Sequence, residues 1–308
     1  MRFPIVSLAG LLCASGHGLA QQTSTLLEAR QGFTTHLLRK TSAKDPLPTP
    51  PADLFQSVQY PSPAGNLAAY LTPPTKDGKK RPAIVWIFGG FSNGIGDGAW
   101  ASAEPQNDQS ARAFREAGIV MMYPSLRGGN QNPGVKEGFY GEVTDVLAAR
   151  DFLAKQPHVD PARIYLGGHS TGGTLALLAA ASSNQFRAVI ALGPVEDVSD
   201  YGQEQLPFDV ANAKEVDLRS PIKWLGAIHT PTFVLEGAEK GHGNIAPLRA
   251  LAHANHNPLI HFQPVPGKDH FSAILPVTKL FARKILADTG ANSSITLTEQ
   301  EVADAVKP

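Results

Sequence analysis

Ser170 stands in Gly168-His169-Ser170-Thr171-Gly172, within the longer stretch RIYLGGHSTGGTLALLAA. A serine hydroxyl attacks an acyl carbon only when a base, an acid that orients the base, and an oxyanion site stand beside it. In a chain with 29 glycines the G-x-S-x-G letters alone are a weak signal, so the flanks decide. Arg163–His169 reads as a strand and Thr171–Ala181 as a small, apolar helix. A serine between them sits on a sharp turn that exposes its hydroxyl. Gly168 and Gly172 remove the Cβ atoms that would clash there, and the free N–H groups of the helix start make Thr171 an oxyanion donor.

The base must be one of ten histidines. His270, in PGKDHFSAI, lies between the last predicted strand (Leu259–Phe262) and the closing predicted helix (Ser272–Ala287). A side chain there reaches over the carboxyl edge of the sheet, where open α/β sheets bind ligands. His242, His253, His256 and His261 read as surface polar residues, and His169 points away from the nucleophile. The acid should follow the strand Thr230–Gly237, in the chain order Ser, acid, His. Glu239, past the strand end, is preferred; Glu236, the strand's last side chain, is the alternative, and Asp269 is too close to His270 in sequence to serve. The second oxyanion donor is expected from the glycine-rich loop in WIFGGFSNG, with the Phe91 N–H favoured and Gly90 as the alternative.

The elements that must hold these groups alternate. Ser57–Tyr60 and Leu67–Leu71 suggest an edge hairpin, and Arg81–Gly89 and Gly118–Ser125 read as strands buried on both faces. Phe186–Val195 is a further strand; Ser110–Ala117, Gly141–Lys155 and Ile245–Ala254 are helical. The fold class that follows is α/β, a mostly parallel twisted sheet with helices on both faces. Glu196–Gly226 interrupts the rhythm as an inserted segment, either a decorative loop or a lid.

The 308 residues carry 27 basic and 27 acidic side chains, which supplies no field to draw nucleic acid. Residues 1–20 read as a secretory signal peptide ending at Gly18-Leu19-Ala20, too short for a membrane span. Leu12 before Cys13, the single cysteine, argues against lipidation, so a secreted or periplasmic protein without disulfide or membrane anchor is expected. Residues 21–56 read as an N-terminal surface arm, 57–288 as the catalytic domain and 289–308 as a loosely docked tail. There is no His-Glu-x-x-His motif and no ligand-spaced cluster, so neither metal nor other cofactor is expected.

The motifs FGGF (88–91), YPSLRGG (123–129), GEVTDVLAARDFL (141–153), VDPARIYLGGHSTGG (159–173), LRSPIKW (218–224) and KDHF (268–271) together resemble the α/β-hydrolase superfamily. More narrowly, they resemble the catalytic domain of the prolyl oligopeptidase and dienelactone hydrolase group. The resemblance implies the α/β-hydrolase fold and a serine-dependent hydrolase with Ser170 and His270 in its triad. Three departures stand out: Phe88 replaces a tyrosine that helps hold the oxyanion, Lys240 replaces the usual aspartate, and the stretch ahead of the domain is too short for a gating β-propeller. They lean toward an exported carboxylic-ester hydrolase. A peptidase or amidase on short peptides is the alternative, and a non-catalytic binding protein on the same fold is the third reading.

Overall fold

A computed structural model describes residues 24–239 and 245–307. The expected leader (residues 1–20), Cys13, Lys240 and His242 lie outside the described residues. Eight strands form one sheet: β1 (Gln56–Ser62), β2 (Gly65–Leu71), β3 (Arg81–Ile87), β4 (Val120–Pro124), β5 (Val159–His169), β6 (Val189–Leu192), β7 (Thr232–Gly237) and β8 (Ile260–Val265). Their order is β1-β2-β4-β3-β5-β6-β7-β8. β1 pairs with β2 and β2 with β4 antiparallel, and every other pairing is parallel.

The apolar runs explain the order. β3, β4, β6 and β7 are buried on both faces, as parallel strands covered by crossover helices must be. Leu166, Leu175, Leu178 and Val189 belong to a core under the helices Gly141–Leu153 and Thr171–Ala180. Trp86, Tyr123, Phe233 and Phe281 belong to the opposite core, under Ile274–Ala287. β3 lies between β4 and β5, so the chain reverses its direction of sheet growth there and opens a crevice at the carboxyl ends of β3 and β5. Ser170 and the loop after Ile87 both sit at that edge.

Three expectations are corrected. Only Ala113–Glu116 of the segment 110–117 is helical, because Ala111 turns at φ 47° and breaks the run. The arm is no free linker. Leu26 is fully buried, and the buried Arg30 guanidinium donates to the carbonyls of Leu218, Phe139 and Tyr140. Leu38 N–H donates to Pro207, and Arg39 to the carbonyls of Gln203, Glu204 and Leu206. The arm thereby straps the inserted segment, whose Phe208 and Leu218 are themselves fully buried. The tail is also docked: its Ser294 N–H donates to Asp288, the fully buried last residue of the domain, which is salt-bridged to Arg187 at 2.7 Å, and Val302 of the helix Glu299–Ala305 is buried. Burial alone would raise the Asp288 carboxyl. Arg187, the Ser294 N–H and the Tyr165 hydroxyl instead hold it well below the usual carboxylate range.

Candidate active site

The elbow follows from packing. Ser170 adopts φ 57°, ψ −120°, which an L-residue holds only when its surroundings force it. A Cβ on Gly168 would lie 2.3 Å from the Gly172 carbonyl oxygen, and one on Gly172 2.3 Å from that of Ile87. Only glycines let the helix Thr171–Ala180 start this close to β3 and β5. Ser170 N–H donates to Leu192 of the neighbouring β6, and its carbonyl accepts from Thr174 N–H. The side chain is therefore presented at the sheet edge while the backbone is held on both sides.

His270 comes to the same edge from the loop after β8. Its Nδ1 pairs with Glu236 Oε2 at 2.9 Å, and Glu236 Oε1 accepts the Gly237 N–H at 2.7 Å. The Glu236 side chain is 5% exposed and that of His270 15%, so the pair is shielded from water. Gly193, at φ 61°, makes room: a Cβ there would lie 2.4 Å from His270 Cε1 and 2.8 Å from Glu236 Oε2. Gly193 follows the residue whose carbonyl receives the Ser170 N–H, so serine, histidine and glutamate converge on the end of β6.

Glu239, the favoured acid, is exposed, and its N–H is tied to the Lys268 carbonyl. The structure brings Glu236 to the histidine instead. The physical reason is reach: the longer glutamate side chain bridges to His270 from within the buried strand, without a loop to carry it outward. Asp269 instead accepts from Phe271 N–H, Ser272 N–H and the Ser272 hydroxyl, so it shapes the turn into the closing helix.

On the oxyanion side, Thr171 opens its helix, and its N–H is among the donors that a first turn leaves without a helical carbonyl. Its hydroxyl donates to the Gly90 carbonyl at 2.7 Å. In a trans peptide the N–H points opposite to the C=O, so the Phe91 N–H faces away from the Thr171 side chain. The Phe91 carbonyl accepts from Lys136 Nζ at 2.8 Å, and its ring meets Tyr201 edge-on at 5.1 Å. Phe88 stacks on Tyr123 at 5.2 Å.

A cavity of about 300 Å³ adjoins this loop. Phe88, Phe91, Leu126, Phe139 and Leu175 give it apolar walls, while Arg39 of the arm and Leu206 of the insertion also border it. Thr171 and Gly90 line it too, which joins it to the oxyanion side of Ser170.

His169, expected to point away from the nucleophile, packs against His270. Its ring lies 4.4 Å from that of His270, and its Nε2 is 3.0 Å from the His270 carbonyl oxygen. A carbonyl only accepts, so Nε2 carries the proton and the buried Nδ1 is left with its lone pair and no partner among the described residues. Burial, reinforced by the neighbouring His270 charge, pushes His169 down to about 3. Strict alternation along β5 was the available signal, since it turns the residue before Ser170 toward the histidine loop.

Known proteins resemble this chain in sequence and fold. Residues 105–237 match the prolyl oligopeptidase family. An uncharacterized protein of Mycobacterium tuberculosis is 27% identical over 178 residues, which is 56% of this chain and 61% of that protein. The dual function macrocyclase-peptidase of Galerina marginata is 25% identical over 57% of this chain and 26% of its own length. Among solved structures, a puromycin-hydrolyzing peptidase of Mycobacterium tuberculosis superposes with a TM-score of 0.62 at 18% identity, over 74% of this chain and 38% of that one. The chain has the α/β-hydrolase fold. It spans about three fifths of the mycobacterial relative and about a quarter of the macrocyclase-peptidase. Among the described residues, no helix is long and apolar enough to cross a membrane.

Proposed function

We propose that this protein is a serine peptidase or amidase that cleaves short peptides or comparably small acyl substrates through an acyl-enzyme. The observation that carries the reading is the His270–Glu236 pair at 2.9 Å beside the strained Ser170 elbow. The match to the prolyl oligopeptidase family and the peptidases among the similar proteins favour amide over ester bonds as the natural target. The ester hydrolase expected from the sequence becomes the second reading, supported by the absence of a tyrosine at Phe88.

With Nδ1–H donating to Glu236, the His270 Nε2 lone pair is left to act as base. Ser170 Oγ forms a bond to the acyl carbon as His270 takes its proton. The tetrahedral oxyanion is held by the N–H groups of Thr171 and Gly90, the latter replacing Phe91 because of the direction of the Gly90–Phe91 peptide. His270 then protonates the leaving amine as the acyl–nitrogen bond breaks. A water, deprotonated by the same histidine, attacks the acyl-enzyme and regenerates Ser170. Glu236 accepts the Nδ1–H and stabilises the imidazolium in both halves.

We also propose export after cleavage near Ala20, which amino-terminal sequencing of the mature protein would check. The main test is labelling with a fluorophosphonate, followed by mass mapping and by comparison of matched anilide and ester substrates. Modification at Ser170 with turnover of the anilide is expected. Folded protein that takes no label would leave the binding-protein reading standing.

A further inference from the structure

Gln109 lies in a loop with no sequence motif, yet the loop is built with unusual care. Its carbonyl accepts the Trp86 indole N–H at 2.9 Å, and its N–H donates to Asn107. Asp108 before it is fully buried and accepts the Ser110 hydroxyl; the Ser110 carbonyl accepts from Tyr123. Ala111 completes the turn at φ 47°, in the region L-residues avoid. These contacts fix the backbone on both sides of one half-buried carboxamide, which no protein group hydrogen-bonds among the described residues.

The carboxamide oxygen and the Ser170 side chain both flank Gly89. A methyl group placed on Gly89 would lie 3.2 Å from Ser170 Cβ and 3.3 Å from Gln109 Oε1. The two side chains are thus separated by little more than one such group. Gln109 is not part of the apolar cavity wall, which stands over Leu126, Phe139 and Leu175. Its own anchors, Trp86 and Tyr123, belong to the core under the other sheet face.

We propose that Gln109 is a specificity-determining residue that hydrogen-bonds a substrate amide flanking the scissile carbonyl, across Ser170 from the cavity. A carboxamide offers one acceptor and two donors, the complement of a peptide group with its N–H and C=O. A free amide held by a rigid, strained loop loses little freedom on engaging such a group. The inference rests on the peptidase reading and names what that site prefers.

Two p-nitrophenyl esters test it, of N-acetylphenylalanine and of 3-phenylpropanoic acid. They share the leaving group and the phenyl ring, and only the first carries the flanking amide. Gln109→Ala and Gln109→Leu, the latter preserving volume, should each lower kcat/KM for the acetylamino ester about tenfold, the loss of one substrate hydrogen bond. Both should leave the phenylpropanoyl ester within about twofold of the wild type. Equal losses on both esters would assign Gln109 a structural or oxyanion role, and no loss on either would mean no contact; each overturns the inference alone. A wild-type protein that cleaves neither ester and takes no fluorophosphonate removes the peptidase reading and this inference with it.

Discussion

The Ser170 elbow and the His270–Glu236 pair belong to one site but are built in opposite ways. The elbow is mostly local: Gly168, Gly172 and the Thr174 N–H act within four residues of Ser170, while the Leu192 and Ile87 carbonyls come from neighbouring strands. The pair joins residues 34 apart, through a gap that Gly193 keeps open just past the end of a third strand, β6. Contiguous letters specify the first. The second exists only once β6, β7 and β8 lie side by side, so it depends on the sheet order.

Substitutions can break this comparison at either end. Ser170→Ala removes the attacking atom and should lower kcat by at least about a thousandfold while the thermal midpoint stays put. Retained turnover in a clean preparation would end the acyl-enzyme mechanism. The long-range end is tested by two neighbours: Glu236→Gln should cost roughly a hundredfold to ten-thousandfold in kcat, since the wrong tautomer and an unsupported imidazolium both result. Glu239→Gln, at an exposed site, should stay within about twofold. If the two were equal, the 2.9 Å contact would have no catalytic meaning.

The same contrast explains what was legible beforehand. Strands β3 to β7 announced themselves through continuous apolar runs, and Ser170 and His270 through strand-turn-helix context and loop position. Glu236 was visible only as an alternative, because the loop letters do not say how far a carboxylate must reach. Gln109 carried no signal, for its setting depends on Trp86 and Tyr123 from other strands. The arm and tail were misread for a similar reason. Their polar composition conceals single anchors such as Leu26 and Val302.

The arm and insertion offer an intermediate case, long-range but remote from the reacting atoms. Glu215 pairs with the fully buried Arg219 and accepts from Thr35 and from the His36 N–H of the arm. Glu215→Ala leaves that guanidinium buried without a carboxylate, at a cost of about 3–5 kcal/mol. A thermal midpoint lower by roughly 10 °C is expected. An unchanged midpoint would mean that the strap contributes nothing to holding the cavity roof.

The smallest expected effect sits where the local and long-range halves touch. His169 belongs to the elbow by sequence and to the pair by contact, facing His270 and Phe271. In the folded protein it titrates at about 3, whereas in the unfolded chain it returns to roughly 6.5. Between those values the unfolded chain binds a proton that the folded one refuses, so stability rises with pH and is lost as pH falls below about 6.5. His169→Gln removes the titration yet retains an amide donor toward the His270 carbonyl. The slope of unfolding free energy against pH should therefore drop by up to about 1.4 kcal/mol per pH unit between pH 4 and 6. Urea titrations at pH 4, 5 and 6 measure it. Parallel slopes for the two proteins would mean that His169 accepts its proton in place, and that the ring beside His270 is not the neutral spacer its burial demands.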